Sequence, residues 1–214
     1  MPKTSKFENR ARAGEALAEK LEYKNAVVLA IPRGGIPVAI PVARKLDAPL
    51  FVFVTRKLPV PSSPEVGFGA ITSDKVRVLN EELVAYAGIS KKQVEEISKE
   101  VLKEVKRREK VYSLGKGFPN LKNKTAVIVD DGLATGFTAI AAAKHAKKHG
   151  AKKVVVATPT SSVSAFEELK KKTGCEIVCL VIDPYFQAVA QYYEDFHEMT
   201  DEEVVGLLKE LFQR

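Results

Sequence analysis

The chain has 214 residues, 45% of them hydrophobic and 29% charged, with a formal net charge of +7. That length supplies one well-buried core and too little for two, so a single domain over residues 1–214 is expected. No apolar run approaches the ~20 residues of a membrane span, and the opening MPKTSKFENR lacks a signal peptide's apolar segment, so the composition reads as soluble and cytoplasmic.

In chain order, an amphipathic helix is expected over 7–22, then strands at 26–31 and 50–54 around a helix at 36–46 that contains Pro41. A long, proline-studded connection, TRKLPVPSSPEVGFGAIT, follows from Thr55 to Thr72. The stretch GAITSDKVRVL suggests a β-hairpin turning at Ser73 and Asp74. Helices are expected at 81–87 and 90–112, a strand at 125–130, a helix at 137–149, a strand at 153–158, a helix at 162–173 and a strand at 175–182. The last helix, 201–213, has Thr200 as its cap and Asp201, Glu202 and Glu203 in its first turn. Near-continuous apolar strands alternating with helices imply a parallel sheet covered on both faces.

Charge is unevenly distributed. Residues 91–124 hold eleven Lys or Arg against five Glu, whereas 194–214 hold seven acids against two bases. In the basic block Val94, Ile97, Val101 and Val105 recur at helical spacing, which reads as a helix with one buried stripe and a solvated face of mixed sign. A nucleic-acid surface is the competing reading. Cys175 and Cys179, four apart on a strand, lie roughly 13 Å from each other, too far for a disulfide, and read as core residues. His145 and His149 stand one helical turn apart, a spacing that suits zinc, but the sequence shows no third ligand, so they read as solvated residues at a helix end.

Two loops at strand ends carry chemistry. In VIVDDGLATGFTA, Asp130 and Asp131 end an apolar strand, and Gly132, Ala134 and Gly136 leave the backbone bare so that N–H groups can converge on an anion. Thr135 and Thr138 add hydroxyl donors. Two carboxylates beside a phosphate cradle need ribose hydroxyls, or a Mg²⁺ shared with the ligand, to occupy them. The other loop, in VVLAIPRGGIPVA, sets Arg33, Gly34 and Gly35 between a strand and a helix.

VIVDDGLATGFT resembles the binding motif for phosphoribosyl pyrophosphate (PRPP) of type I phosphoribosyltransferases, and PRGG resembles that family's short pyrophosphate loop, whose non-proline peptide bond is commonly cis and maps to Pro32–Arg33. The resemblance covers about residues 24–183. It implies an α/β, Rossmann-like core with a small cap or hood from the chain ends, the hood segment being about 184–214. It further implies Mg²⁺-dependent transfer of a 5-phosphoribosyl group from PRPP to a nitrogenous acceptor of nucleobase type, with pyrophosphate leaving.

Residue by residue, the 5-phosphate falls to Gly132, Leu133, Ala134, Thr135, Gly136, Phe137 and Thr138, and pyrophosphate to Arg33, Gly34, Gly35, Arg56 and Lys57. Arg33, Lys57, Asp130 and Asp131 are the implied catalytic set, the two aspartates also meeting Mg²⁺ indirectly through PRPP. The 55–72 segment maps to the flexible loop that closes over PRPP, and Tyr185 or Phe186 to the acceptor. The expected partners are PRPP and a small nitrogenous molecule, not a membrane; self-association is left open. The rival is a PRPP-sensing regulator of the same fold that binds nucleic acid through the 91–124 block.

Overall fold

Strands form where the apolar runs fall. In the computed structural model, which describes residues 6–213, the elements follow in the order α1 (Arg10–Ala18), β1 (Ala26–Ala30), α2 (Gly35–Lys45), β2 (Leu50–Val52), β3 (Thr55–Val60), β4 (Ser63–Thr72), β5 (Arg77–Leu79) and α3 (Glu81–Tyr86). The chain continues as α4 (Lys91–Tyr112), β6 (Thr125–Val129), α5 (Phe137–Lys148), β7 (Lys153–Ser162), α6 (Val163–Thr173), β8 (Glu176–Asp183), a 3-10 turn at Val189–Tyr192 and α7 (Asp201–Phe212). Asn9, Ser90, Ser162 and Thr200 cap α1, α4, α6 and α7 through their side chains, so sequence-encoded caps set where these helices begin.

Five strands make an all-parallel sheet in the order β2-β1-β6-β7-β8. Val28 aligns with Leu50 on one side and with Val127 on the other, and Val127 aligns in turn with Val155. Alternation then divides the core. Val28, Ala30, Val127, Val129 and Val155 face the layer containing α2 and α4, while Val27, Leu29, Ala126, Ile128 and Val156 face the alanine-rich α5 and α6. The order reverses between β1 and β6, because the chain leaves β1 toward β2 and returns on the other side at β6. A crevice therefore opens at the carboxyl ends of these two strands, the usual ligand position in open α/β sheets.

The expectation for residues 55–72 is overturned in form. They are not an irregular connection but an antiparallel hairpin, in which Thr55 pairs with Thr72 and Lys57 with Ala70. The reason is burial: Leu58, Val60, Phe68, Ala70 and Ile71 all enter the core, and Pro59, which has no N–H to donate, sits where the register is irregular. The tip, 61–66, is exposed, as is Lys57. The β4–β5 turn at Ser73 and Asp74 forms as expected.

The chain ends meet as a cap. Phe7 bridges to Tyr193, and Ala13, Tyr192 and Tyr193 form a small core of their own beside Phe186, Val189 and Phe196. Gly14 lets α1 lie directly on α2, because a Cβ there would collide with the Val38 carbonyl and Pro41. Cys175 and Cys179 are free and half-buried, and burial pushes the Cys179 thiol up to about 11, the state of an inert thiol. Among the described residues no helix is long and apolar enough to cross a membrane.

Candidate active site

The two motif loops touch at the crevice. β1 leads into Ile31 and the cis Pro32–Arg33 bond, and β6 leads into Asp130 and Asp131. A Cβ on Gly34 would overlap the Asp131 carboxylate, and one on Gly35 would lie 2.7 Å from the Val129 carbonyl, so the double glycine is what allows the loops to approach. The Asp131 N–H donates to Asp130 Oδ1 at 2.9 Å. Burial, and next the neighbouring Asp131 charge, push the Asp130 carboxyl well above the usual carboxylate range. This carboxyl holds its proton unusually tightly, and hydroxyl donors or a cation would relieve it.

A residue that sequence reasoning missed faces Asp131. Arg10, from the first turn of α1, donates from Nε to Asp131 Oδ2 at 2.8 Å and from Nη1 to the His197 carbonyl at 3.0 Å, and it is only 7% exposed. Its guanidinium lies 4.0 Å from the centre of the Phe196 ring, and Tyr193 donates its hydroxyl to the Asp131 carbonyl at 2.7 Å. The second aspartate is thus gripped from both chain ends. The only sequence signal was an arginine at the start of an amphipathic helix; nothing linked it to a carboxylate 121 positions away.

Downstream, the 132–138 loop is pinned to β7 by hydrogen bonds from Leu133 N–H to Thr160 and from Ser162 Oγ to the Ala134 carbonyl. Gly132 lies under Val189 of the 3-10 turn. Gly136 takes a left-handed φ of 73° where α5 starts, and among the described residues no side chain caps that helix. The N–H groups of its first turn lie beside exposed Thr135 and half-buried Thr138. Phe137, in contrast, is buried in the core under α5 and offers the loop only its backbone.

Arg33 belongs to a cluster of charges. It approaches Asp201 at 3.6 Å and Glu198 at 3.8 Å, while Asp201 also binds Arg107 at 2.7 Å and accepts the Tyr112 hydroxyl. Glu104 gathers Arg107, Arg108 and, at 3.2 Å, Arg56. Burial and then the positive charge of Arg108, with Arg33 and Arg107 also contributing, lower the Arg56 pKa. Hydrogen bonds from Tyr112 and Arg107 hold Asp201 down at about 2. Arg107 and Arg108 of α4 are thus linked to Arg33 through Asp201 and to Arg56 through Glu104, while Lys99, Lys103, Lys106 and Lys110 lie on the exposed face expected of this helix.

Strand alternation separates Arg56 from Lys57. Arg56 faces the arginine cluster, whereas exposed Lys57 donates to the Glu65 carbonyl across its own hairpin at 2.7 Å. The aromatic pair divides in the same way: Phe186 packs on Tyr192 with ring centres 5.3 Å apart, and Tyr185 is 77% exposed. Of the two histidines, His149 is exposed as expected and His145 is not. His145 is 3% exposed, and Asp74 from the β4–β5 turn meets both imidazoles.

An acidic pair and a Gly-Gly loop meet at the reversal point of a parallel sheet, in a fold of the phosphoribosyltransferase type. The chain belongs to the phosphoribosyl transferase family: the family model described as phosphoribosyl transferase domain matches residues 4–197. The Mycobacterium tuberculosis protein Rv0571c is 43% identical over 205 residues, 94% of this chain and 46% of its own length, so the chain spans about half of that curated relative. The crystal structure of TT1426 from Thermus thermophilus superposes with a TM-score of 0.79 at 36% identity, covering 96% of this chain and 99% of that one. AQ2163 from Aquifex aeolicus shares the fold alone, with a TM-score of 0.52 at 16% identity over 81% of this chain and 74% of its own.

Proposed function

We propose that the chain, acting as one phosphoribosyltransferase unit, transfers the 5-phosphoribosyl group of PRPP to a nitrogenous acceptor of nucleobase type and releases pyrophosphate. The observation that carries this reading is the contact of the Arg33-Gly34-Gly35 loop with Asp131, which sets a basic pyrophosphate loop against a ribose-binding carboxylate pair. The uncapped α5 start supports a 5-phosphate at residues 132–138.

In this reading Asp130, whose raised pKa marks a carboxyl in want of donors, receives the ribose hydroxyls, and Asp131 is held in place by Arg10 and Tyr193. Arg33, with Arg56 behind it, favours negative charge on the departing pyrophosphate while the carboxylates favour positive charge on the sugar. The ring nitrogen forms its bond to C1 as the bond from C1 to pyrophosphate breaks, and the electron pair leaves with pyrophosphate. The acidic pair presents only oxygen donors, with Asp131 Oδ2 already held by Arg10; this suits Mg²⁺, a hard ion that takes one or two carboxylates and completes its shell with substrate phosphates. When bound, Mg²⁺ supplies charge neutralisation on the pyrophosphate oxygens. The β3–β4 hairpin, with its exposed tip, is the segment suited to cover the substrate and exclude water, and Tyr185 is the hood aromatic free to stack on a base.

Pyrophosphate release from PRPP and Mg²⁺ across a panel of nucleobases tests the proposal. Release with at least one base, falling a hundredfold or so for Asp131→Asn, is expected, in line with the ~3 kcal/mol typical of lost charge stabilisation. Release that no base raises above the blank would overturn it.

A further inference from the structure

At the far end of α5 from the phosphate loop, ligand-type side chains from two elements converge. Asp74, in the β4–β5 turn, lies with Oδ1 2.8 Å from His145 Nδ1 and with Oδ2 3.3 Å from His149 Nε2. One ligand atom from each of the three residues falls within 4.8 Å of the others. The two imidazoles are stacked, 4.1 Å between centres and 23° from parallel, and Phe118 packs edge-on against both. Phe53 closes the inner side against His145, whose buried Nε2 has no hydrogen-bond partner among the described residues.

We propose that Asp74, His145 and His149 bind a divalent transition ion of the zinc class, fastening the β4–β5 turn to α5. Two nitrogens and one carboxylate oxygen are the donor set of a three-residue zinc site whose fourth position is left to water, and they disfavour Mg²⁺ or Ca²⁺, which take oxygen. Donors ~2.0–2.2 Å from a tetrahedral ion stand roughly 3.3 Å apart, so the observed separations close with small side-chain adjustments. His149 is 40% exposed and gives the ion its way in.

The carboxylate is also held within its own turn, where the Thr72 hydroxyl donates to Asp74 Oδ1 at 2.5 Å. Lys148 is the competitor. Its Nζ lies 3.0 Å from Asp74 Oδ2, on a side chain exposed enough to swing away when an ion arrives. Ser73 in the same turn is held by Glu109 of α4 at 2.8 Å, so Asp74 is presented from a fixed turn.

The test uses untagged full-length protein, stripped with a chelator and dialysed against micromolar free zinc, with bound metal counted by mass spectrometry and the geometry read from cobalt(II) absorption. One ion per chain, with the visible bands of a tetrahedral site, is expected. His149→Ala and Asp74→Asn should each weaken zinc binding at least tenfold, while Lys148→Ala, which removes the competing cation, should strengthen it. Zinc should raise the melting temperature of the parent and not that of His149→Ala. Failure of the parent to hold zinc, or undiminished binding by His149→Ala, would overturn the proposal. Neither outcome bears on PRPP turnover.

Discussion

Removing Arg10 should expose how much the acidic pair depends on the N-terminal helix. Arg10→Ala leaves Asp131 beside Asp130 with no cation at 2.8 Å. Breaking a buried ion pair from one side costs about 3 to 5 kcal/mol, and because Asp131 keeps some solvent contact the lower end applies. Loss of the His197 hydrogen bond and of the Phe196 stacking adds about 1 kcal/mol, for a total near 4. Asp131→Asn keeps an acceptor for Arg10 and relieves repulsion with Asp130, so it should cost only ~1 kcal/mol. With both changes made, the stranded charge is gone and roughly 2 to 3 kcal/mol should be lost, which leaves a coupling of about 2 to 3 kcal/mol. Urea denaturation of the parent, the two single variants and the double variant measures this directly, and Arg10→Lys tests whether charge alone suffices. Costs that add to within ~0.5 kcal/mol would refute the assignment of Arg10 as the residue that holds Asp131.

Other outcomes follow from the same geometry. The folded Asp130 carboxyl is raised above its unfolded value, so the native state binds the extra proton and the contribution of this group to stability falls as pH rises through the window above 3.8. Asp130→Asn should therefore raise the neutral-pH melting temperature while PRPP turnover is lost; a lower melting temperature would contradict the reasoning. Asp201, depressed to about 2, acts in the opposite sense, and its contribution is lost as pH falls from its unfolded value of 3.8 toward 2, which acid titration of the parent against Asp201→Asn would show. Arg56→Ala should reduce turnover more than Lys57→Ala, because only Arg56 faces the arginine cluster; steady-state kinetics giving the reverse order would place Lys57 over the substrate instead. Gly34→Ala must displace the Asp131 carboxylate, so it should cost about 1 to 3 kcal/mol in urea denaturation, and a neutral result would show that the loops can move apart.

The sequence by itself determined whatever depends on residues close together in the chain. Five apolar runs, too hydrophobic to leave a face in water, had to become strands covered on both sides, and Val27 and Val28 do face opposite layers. Thr200 was positioned to cap the last helix, and PRGG and DDGLATGFT were readable because each loop's chemistry is contiguous. Only the tertiary structure decided what depends on partners far away in sequence. That Arg10 holds Asp131, that Arg107 reaches Asp201 and Arg56 reaches Glu104, and that Asp74 completes a cluster with His145 and His149 all follow from packing between elements. Residues 55–72 show the same division. Their prolines and glycines signalled a loop, and local propensity alone would have made one, but burial of Leu58 and Phe68 against the core imposed the two-residue alternation of a hairpin and sent Arg56 and Lys57 to opposite faces.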